Sequence, residues 1–221
     1  MTVAVTGGKG GVGKSTVAYN LGAELDAVVV DADLAMADLP AARGPDLHDV
    51  LAGRADPIEA VREEGPVNLL PCGRSLAGAR SVDPTALSAT LSTLRREYGP
   101  VVVDCPAGMR ADAGLPLLAA EACVIVTTPD RPALADAVRT RELARELDAG
   151  LAAVALNRDG GTGQERVREA LGAPVTPIPE SGALARAQAT GVPVRSLAPD
   201  GPAADALAGL ARTVQSCVSR V

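Results

Sequence analysis

Apolar residues along this chain fall into short, dense blocks. Thr2-Val3-Ala4-Val5-Thr6, Val28-Val29-Val30 and Val101-Val102-Val103 are runs of β-branched and small residues, and similar stretches start near Ala122, Leu151 and Pro174. Short runs that are apolar at consecutive positions suit strands covered on both faces. Between the runs the period lengthens. Residues 17–25 have the spacing of an amphipathic helix, and 83–98 and 131–147 read as helices too. Asp83-Pro84 supplies the first of these with an N-cap and first-turn pair, and Pro129 opens the second. Strands are expected to begin near Thr2, Ala27, Val67, Val101, Ala122, Leu151 and Pro174, with helical segments between them. This alternation predicts an α/β fold: a doubly wound, mostly parallel sheet with helices on both faces. The glycine-rich stretch 160–163 and residues 198–202 read as turns, so residues 1–221 are expected to form one domain.

Composition narrows the picture. At 221 residues and 47% apolar, the chain can build one substantial core. Tyr19 and Tyr98 are the only aromatic side chains, so that core must be alanine, valine and leucine in close packing. A net charge of −6 opposes non-specific binding to nucleic acid. Cys72, Cys105, Cys123 and Cys217 are scattered, with no signal peptide ahead of them, which predicts reduced thiols and a cytoplasmic location. No pair has metal-ligand spacing, and Cys105 reads as a small buried strand residue. The single histidine, His48, falls in Leu47-His48-Asp49-Val50-Leu51, which reads as a short surface helix with no assigned chemistry.

The chemistry concentrates in one loop. Both lysines of the chain, Lys9 and Lys14, lie in Gly7-Gly8-Lys9-Gly10-Gly11-Val12-Gly13-Lys14-Ser15-Thr16, and every other basic side chain is arginine. An ammonium on a thin stem reaches between phosphate oxygens where a planar guanidinium is too wide. The loop joins an expected strand to an expected helix, as a phosphate-binding loop requires. Glycines let backbone N–H groups converge on a phosphate and the helix N-terminus adds partial positive charge. Lys14 bridges the β- and γ-phosphates, and the Ser15 hydroxyl can ligate magnesium. Gly8, Lys9, Gly10, Gly11, Val12, Gly13, Lys14, Ser15 and Thr16 are therefore the candidate phosphate contacts.

The early lysine, Lys9, resembles the deviant Walker A motif of the MinD/ParA family of P-loop ATPases. The resemblance implies that Lys9 crosses the interface of an ATP-bound homodimer to the phosphates held by the other subunit; the plainer alternative is a solvated loop lysine. Val28-Val29-Val30-Asp31-Ala32-Asp33 is similar to the family's switch segment, which makes Asp33 the candidate for positioning the attacking water. Both aspartates could instead cap a strand end. The family often has asparagine a few residues later, where this chain has Asp38, with Ala35 and Ala37 close by in sequence. Val101-Val102-Val103-Asp104-Cys105-Pro106-Ala107-Gly108 resembles the Walker B strand, so the resemblance assigns magnesium to Ser15, Asp31 and Asp104. Asn157-Arg158, at the end of the strand starting near Leu151, resembles the adenine-contacting motif. Pro179, in Pro177-Ile178-Pro179-Glu180, belongs to the segment that closes over the purine. Relatives that carry iron–sulfur clusters use closely spaced cysteines, which this sequence lacks.

The resemblance implies a magnesium-dependent ATPase that dimerises on ATP and positions or partitions a cargo, with Lys9, Lys14 and Asp33 catalytic and a protein partner speeding a slow turnover. Two other classes remain open: a biosynthetic ATP-dependent ligase of dethiobiotin-synthase type, and a nucleotide-binding scaffold with little hydrolysis. Residues 203–221 place Leu207, Leu210, Val214 and Val218 on one side, with only Arg212 and Arg220 as basic groups and no aromatic anchor. Packing against the domain explains this better than membrane attachment. DNA binding would need a local patch such as Arg166, Arg168, Arg186 and Arg195.

Overall fold

The computed structural model describes residues 1–34, 39, 43–73, 76–108 and 111–219. Ala35, Ala37, Asp38 and Arg220 lie outside the described residues. In chain order the elements are β1 (Thr2–Thr6), α1 (Lys14–Leu25), β2 (Val28–Asp31), α2 (Leu47–Leu51), β3 (Leu69–Leu70), α3 (Leu76–Ser81), a 3₁₀ turn (Pro84–Ala86) leading into α4 (Leu87–Tyr98), and β4 (Val101–Asp104). There follow α5 (Ala111–Leu118), β5 (Ala122–Thr127), α6 (Arg131–Glu146), β6 (Gly150–Asn157), α7 (Gln164–Leu171), β7 (Val175–Ile178), α8 (Gly182–Thr190), α9 (Val194–Leu197) and α10 (Pro202–Val218). Every expected strand is present and begins within two residues of its expected start.

Among the described residues the strands form one seven-stranded sheet, ordered β3-β2-β4-β1-β5-β6-β7 with every pairing parallel. Alternate side chains of each strand serve opposite layers, as the pleat demands. Val3, Val5, Val29, Val102 and Val124 face α1, α8 and α10. Ala4, Cys123, Ile125 and Val154 face α5, α6 and α7, while Val28, Val30, Val101 and Val103 face α2 and α4. Both faces are thus covered, which is why the strands read as unbroken apolar runs. The crossover from β1 runs to β2 on one side, while that from its neighbour β4 runs to β5 on the other, so the winding reverses between β1 and β4. Such a switch point opens a crevice at the carboxyl ends of the strands.

Three sequence expectations change. Helix α6 is opened by Asp130, whose carboxylate accepts the Ala133 N–H, with Pro132 in the first turn; Pro129 stands outside it. Helix α1 is not one-sided: Val17, Ala18, Tyr19, Asn20, Leu21, Gly22 and Leu25 are all buried, because α10 and the sheet enclose it. Helix α2 does form over Leu47–Leu51, but His48 is 3% exposed, so this is not a surface helix. Helix α10 packs as expected, with Leu207, Leu210 and Val214 buried against α1, β6 and β7.

Candidate nucleotide-binding site

The glycine-rich loop leaves the end of β1, and α1 begins at Lys14. Gly11 and Gly13 have φ of 78° and 98°, the left-handed region that side chains avoid. At Gly13 space forbids a side chain too, since a Cβ there would fall on the Asn157 amide nitrogen. No side chain caps the first turn of α1, so its N-terminal amides face the cleft as an anion-binding end. Lys14 is buried at 8% exposure, and it lines a cleft of about 210 Å³ with Gly11, Gly13, Ser15, Thr16, Arg158 and Gln188. An adjoining cleft of about 430 Å³ shares Gly13, Thr16, Arg158 and Gln188, and adds Asn157, Pro179 and Glu180. The first has the size and charge for phosphates. The second can take a ribose and base.

On the other side of the loop, β2 and β4 deliver two carboxylates. Asp31 and Asp104 are register partners on adjacent strands, and each is almost wholly buried. Asp104 also pairs in register with Val5, next to the end of β1. Asp31 organises the segment after it: one oxygen accepts the Asp33 N–H at 3.2 Å and the other the Leu39 N–H at 3.3 Å. Burial pushes the Cys105 thiol well above its usual range, Asp104 adds to the rise, and Lys14 opposes it, so the thiol lies in the field of both charges. The Cys72 thiol is raised as well, by burial and then by Asp31, Asp46 and Asp33. Hard carboxylates at the ends of β2 and β4, with the Ser15 hydroxyl at the start of α1, are ligands of the kind magnesium takes, and that ion keeps water and phosphate oxygens in its shell and needs no all-protein cage. No group of three or more histidine, cysteine or acidic side chains that could hold a metal ion occurs among the described residues.

The family resemblance assigns Asn157 to adenine. In the structure it stands at the junction of the two clefts, 5% exposed, with its amide engaged at both ends. Its nitrogen donates to the Val12 carbonyl at 2.8 Å, and its oxygen accepts the Arg158 N–H at 3.0 Å. The residue therefore ties β6 to the phosphate loop. Pro179 lies in the wall of the larger cleft, half-buried.

Three sets of contacts had no signal in the sequence. The Thr16 hydroxyl donates to the Gln188 side-chain oxygen at 2.8 Å, joining α8 to α1. Further along α1, Tyr19 donates to the Gly191 carbonyl at 2.7 Å, Asn20 accepts the Val194 N–H at 2.8 Å and Glu24 pairs with Arg195 at 2.6 Å. Residues 16, 20 and 24 recur at i+4, so one stripe of α1 carries the wall of the larger cleft. The third is Asp130. Lys9, about half exposed, reaches the Asp130 carboxylate of its own chain at 3.6 Å. The hydrogen bond from Thr128 first, then that from Ala133 and the Lys9 charge hold that carboxyl below its ordinary value. An Asp-x-Pro string does announce an N-cap, but its meeting with Lys9 is tertiary.

The proposed arginine patch does not assemble as one group of unpaired cations. Arg168 pairs with Glu165, Arg195 with Glu24, and Arg166 donates to the Pro129 carbonyl. Among the described residues no helix is long and apolar enough to cross a membrane.

Comparison with known proteins follows the same lines. The chain is 31% identical to an uncharacterised ATP-binding protein of Methanocaldococcus jannaschii, over 96% of this chain and 86% of that one. It superposes on the cell division ATPase MinD of Pyrococcus furiosus with a TM-score of 0.90 and 28% identity, over 97% of this chain and 98% of that one. The septum site-determining protein MinD of Pyrococcus horikoshii, solved as a complex with Mg-ADP, also gives 0.90 and 28%, over 100% of this chain and 98% of that one. A family model described as the CobQ/CobB/MinD/ParA nucleotide binding domain matches residues 3–194. The chain belongs to this family and is a MinD/ParA-like P-loop protein.

Proposed function

We propose that the protein is a magnesium-dependent ATPase that dimerises around ATP and separates after hydrolysis, a switch for positioning a cargo through a protein partner. The observation that carries this reading is the contrast between its two lysines. Lys14 is buried in the phosphate cleft, where one ammonium suffices for binding, while Lys9 leaves the same loop for the surface. A second cation held outside its own cleft is useful to nucleotide in a neighbouring subunit. Likeness to the MinD proteins over nearly the whole chain supports the same reading.

In the reaction, water attacks the γ-phosphorus in line, the bond to the β-phosphate oxygen breaks, and ADP and phosphate leave with one proton released. Asp33, tethered by its N–H to Asp31, orients the water. Lys14 and the loop amides stabilise charge on the transferring group, and Lys9 of the second subunit adds to it after leaving Asp130. Ser15, with Asp31 and Asp104 behind it, would hold magnesium, which neutralises the β- and γ-phosphate oxygens.

Specific ATPase activity measured against protein concentration tests the proposal. It should rise as subunits associate and then level off. A flat, negligible rate would favour a nucleotide-binding scaffold, and turnover appearing only with a carboxylate substrate would favour a ligase.

A further inference from the structure

His48 is the one histidine of the chain, and its ring is wedged between three segments that are distant in sequence. Helix α2, which carries it, is fixed at its start by Asp46, whose carboxylate accepts the Asp49 N–H while Asp49 accepts that of Asp46. The Leu47 N–H donates to the Pro71 carbonyl at 2.9 Å, pinning the helix to the chain leaving β3. Gly73 in that same chain lies flat against the ring, and a Cβ there would fall on Nδ1. Nε2 is 3.6 Å from the Cys72 sulfur and 3.1 Å from the Leu34 carbonyl oxygen. Leu34 follows Asp33.

A carbonyl can only accept, so the bond to Leu34 places a ring proton on Nε2. Nδ1 is buried without a hydrogen-bond partner, which is unfavourable. A leucine or methionine would fill this volume without that cost. What the imidazole contributes in return is the single directed bond to the segment after β2. Asp33 is thereby bracketed, with its own N–H on Asp31 and the carbonyl of the next residue on His48.

We infer that His48 is a positioning residue for the hydrolytic step, holding the backbone at Leu34 so that the Asp33 carboxylate stays at the angle that orients water. The inference rests on the proposed ATPase reading and adds to it a residue far from the phosphate loop in sequence. His48 lines neither of the two clefts, so its removal should act on turnover and not on binding.

His48→Asn and His48→Gln separate the hydrogen bond from the packing. A glutamine amide nitrogen reaches about as far as Nε2, whereas an asparagine amide reaches only to the Nδ1 position. His48→Asn is expected to lower kcat by ~10–100-fold, as small misplacements of a catalytic group do. Affinity for a slowly hydrolysed ATP analogue should stay within about twofold of wild type, and His48→Gln should regain most of the lost turnover. Wild-type kcat in His48→Asn, a loss not relieved by glutamine, or a loss that falls on affinity would each overturn the role. If the variants do not fold, the wild-type protein supplies the answer, because its lone imidazole gives one set of nitrogen resonances. Adding the analogue with magnesium should shift the Nε2–H signal, and an unchanged signal would overturn the tether. Wild-type protein that binds the analogue but never turns over ATP would instead fail the ATPase reading, with the tether still read by that shift.

Discussion

The two ends of the nucleotide cleft are built in opposite ways. The phosphate end comes from one continuous segment, in which β1, the glycine loop and the first turn of α1 supply amides, Lys14, Ser15 and Thr16 within a few residues of one another. The base end comes from β6, the end of β7 and α8, and it is attached to the rest by α1 side chains more than 170 residues away in sequence. Local backbone geometry makes the first end, and long-range packing makes the second. Damage to the first should remove binding altogether. Damage to the second should loosen it by degrees.

The largest effect expected is that of Lys14→Ala. Removing the one buried cation of the phosphate cleft should weaken ATP binding by about 100-fold or more, as truncating one partner of a buried charge pair does. Isothermal titration with an ATP analogue measures it, and affinity close to wild type would place the phosphates elsewhere. Asn157→Ala strikes where the two ends join. It leaves the Val12 carbonyl without its partner and should cost ~1–3 kcal/mol, about 5- to 150-fold in affinity. Asn157→Asp sharpens the point: an isosteric carboxylate sets oxygen against the Val12 carbonyl and should bind nucleotide worse than alanine does. If Asn157 served only the base, the two substitutions would not rank in this order. Tyr19→Phe, the mildest change, deletes only the hydroxyl bonded to Gly191. It should lower stability by ~0.5–1.5 kcal/mol in thermal unfolding, reduce ATP affinity by less than about threefold and leave binding of inorganic triphosphate untouched. Equal losses for ATP and triphosphate would mean that the α1 stripe supports the phosphate end as well.

The same division explains what was legible in the sequence. Val28–Val30 and Val101–Val103 are apolar at every position because both faces of the sheet are covered, so their strand character is local and readable. The glycine loop is readable for the same reason. Asn157 was found at its cleft by order of motifs, but its bond to Val12 joins positions 145 residues apart and leaves no pattern in either neighbourhood. His48 shows the limit most plainly. The polar spacing of Leu47–Leu51 suggests an exposed helix, and only the chain leaving β3 and the loop after β2, folded over it, bury the ring. Likewise Lys9 advertises itself, yet its resting partner Asp130 is an ordinary N-cap until the fold brings the two together.

Lys9 is proposed to act on nucleotide held by a second subunit. Sedimentation of wild type and of Lys9→Ala, each saturated with a slowly hydrolysed ATP analogue and magnesium, tests it most directly. Wild type should move from monomer to dimer on adding the analogue, while Lys9→Ala should bind the same analogue through Lys14 and the loop amides yet stay monomeric. Equal dimerisation of the two proteins, or wild type remaining monomeric at saturation, would contradict it.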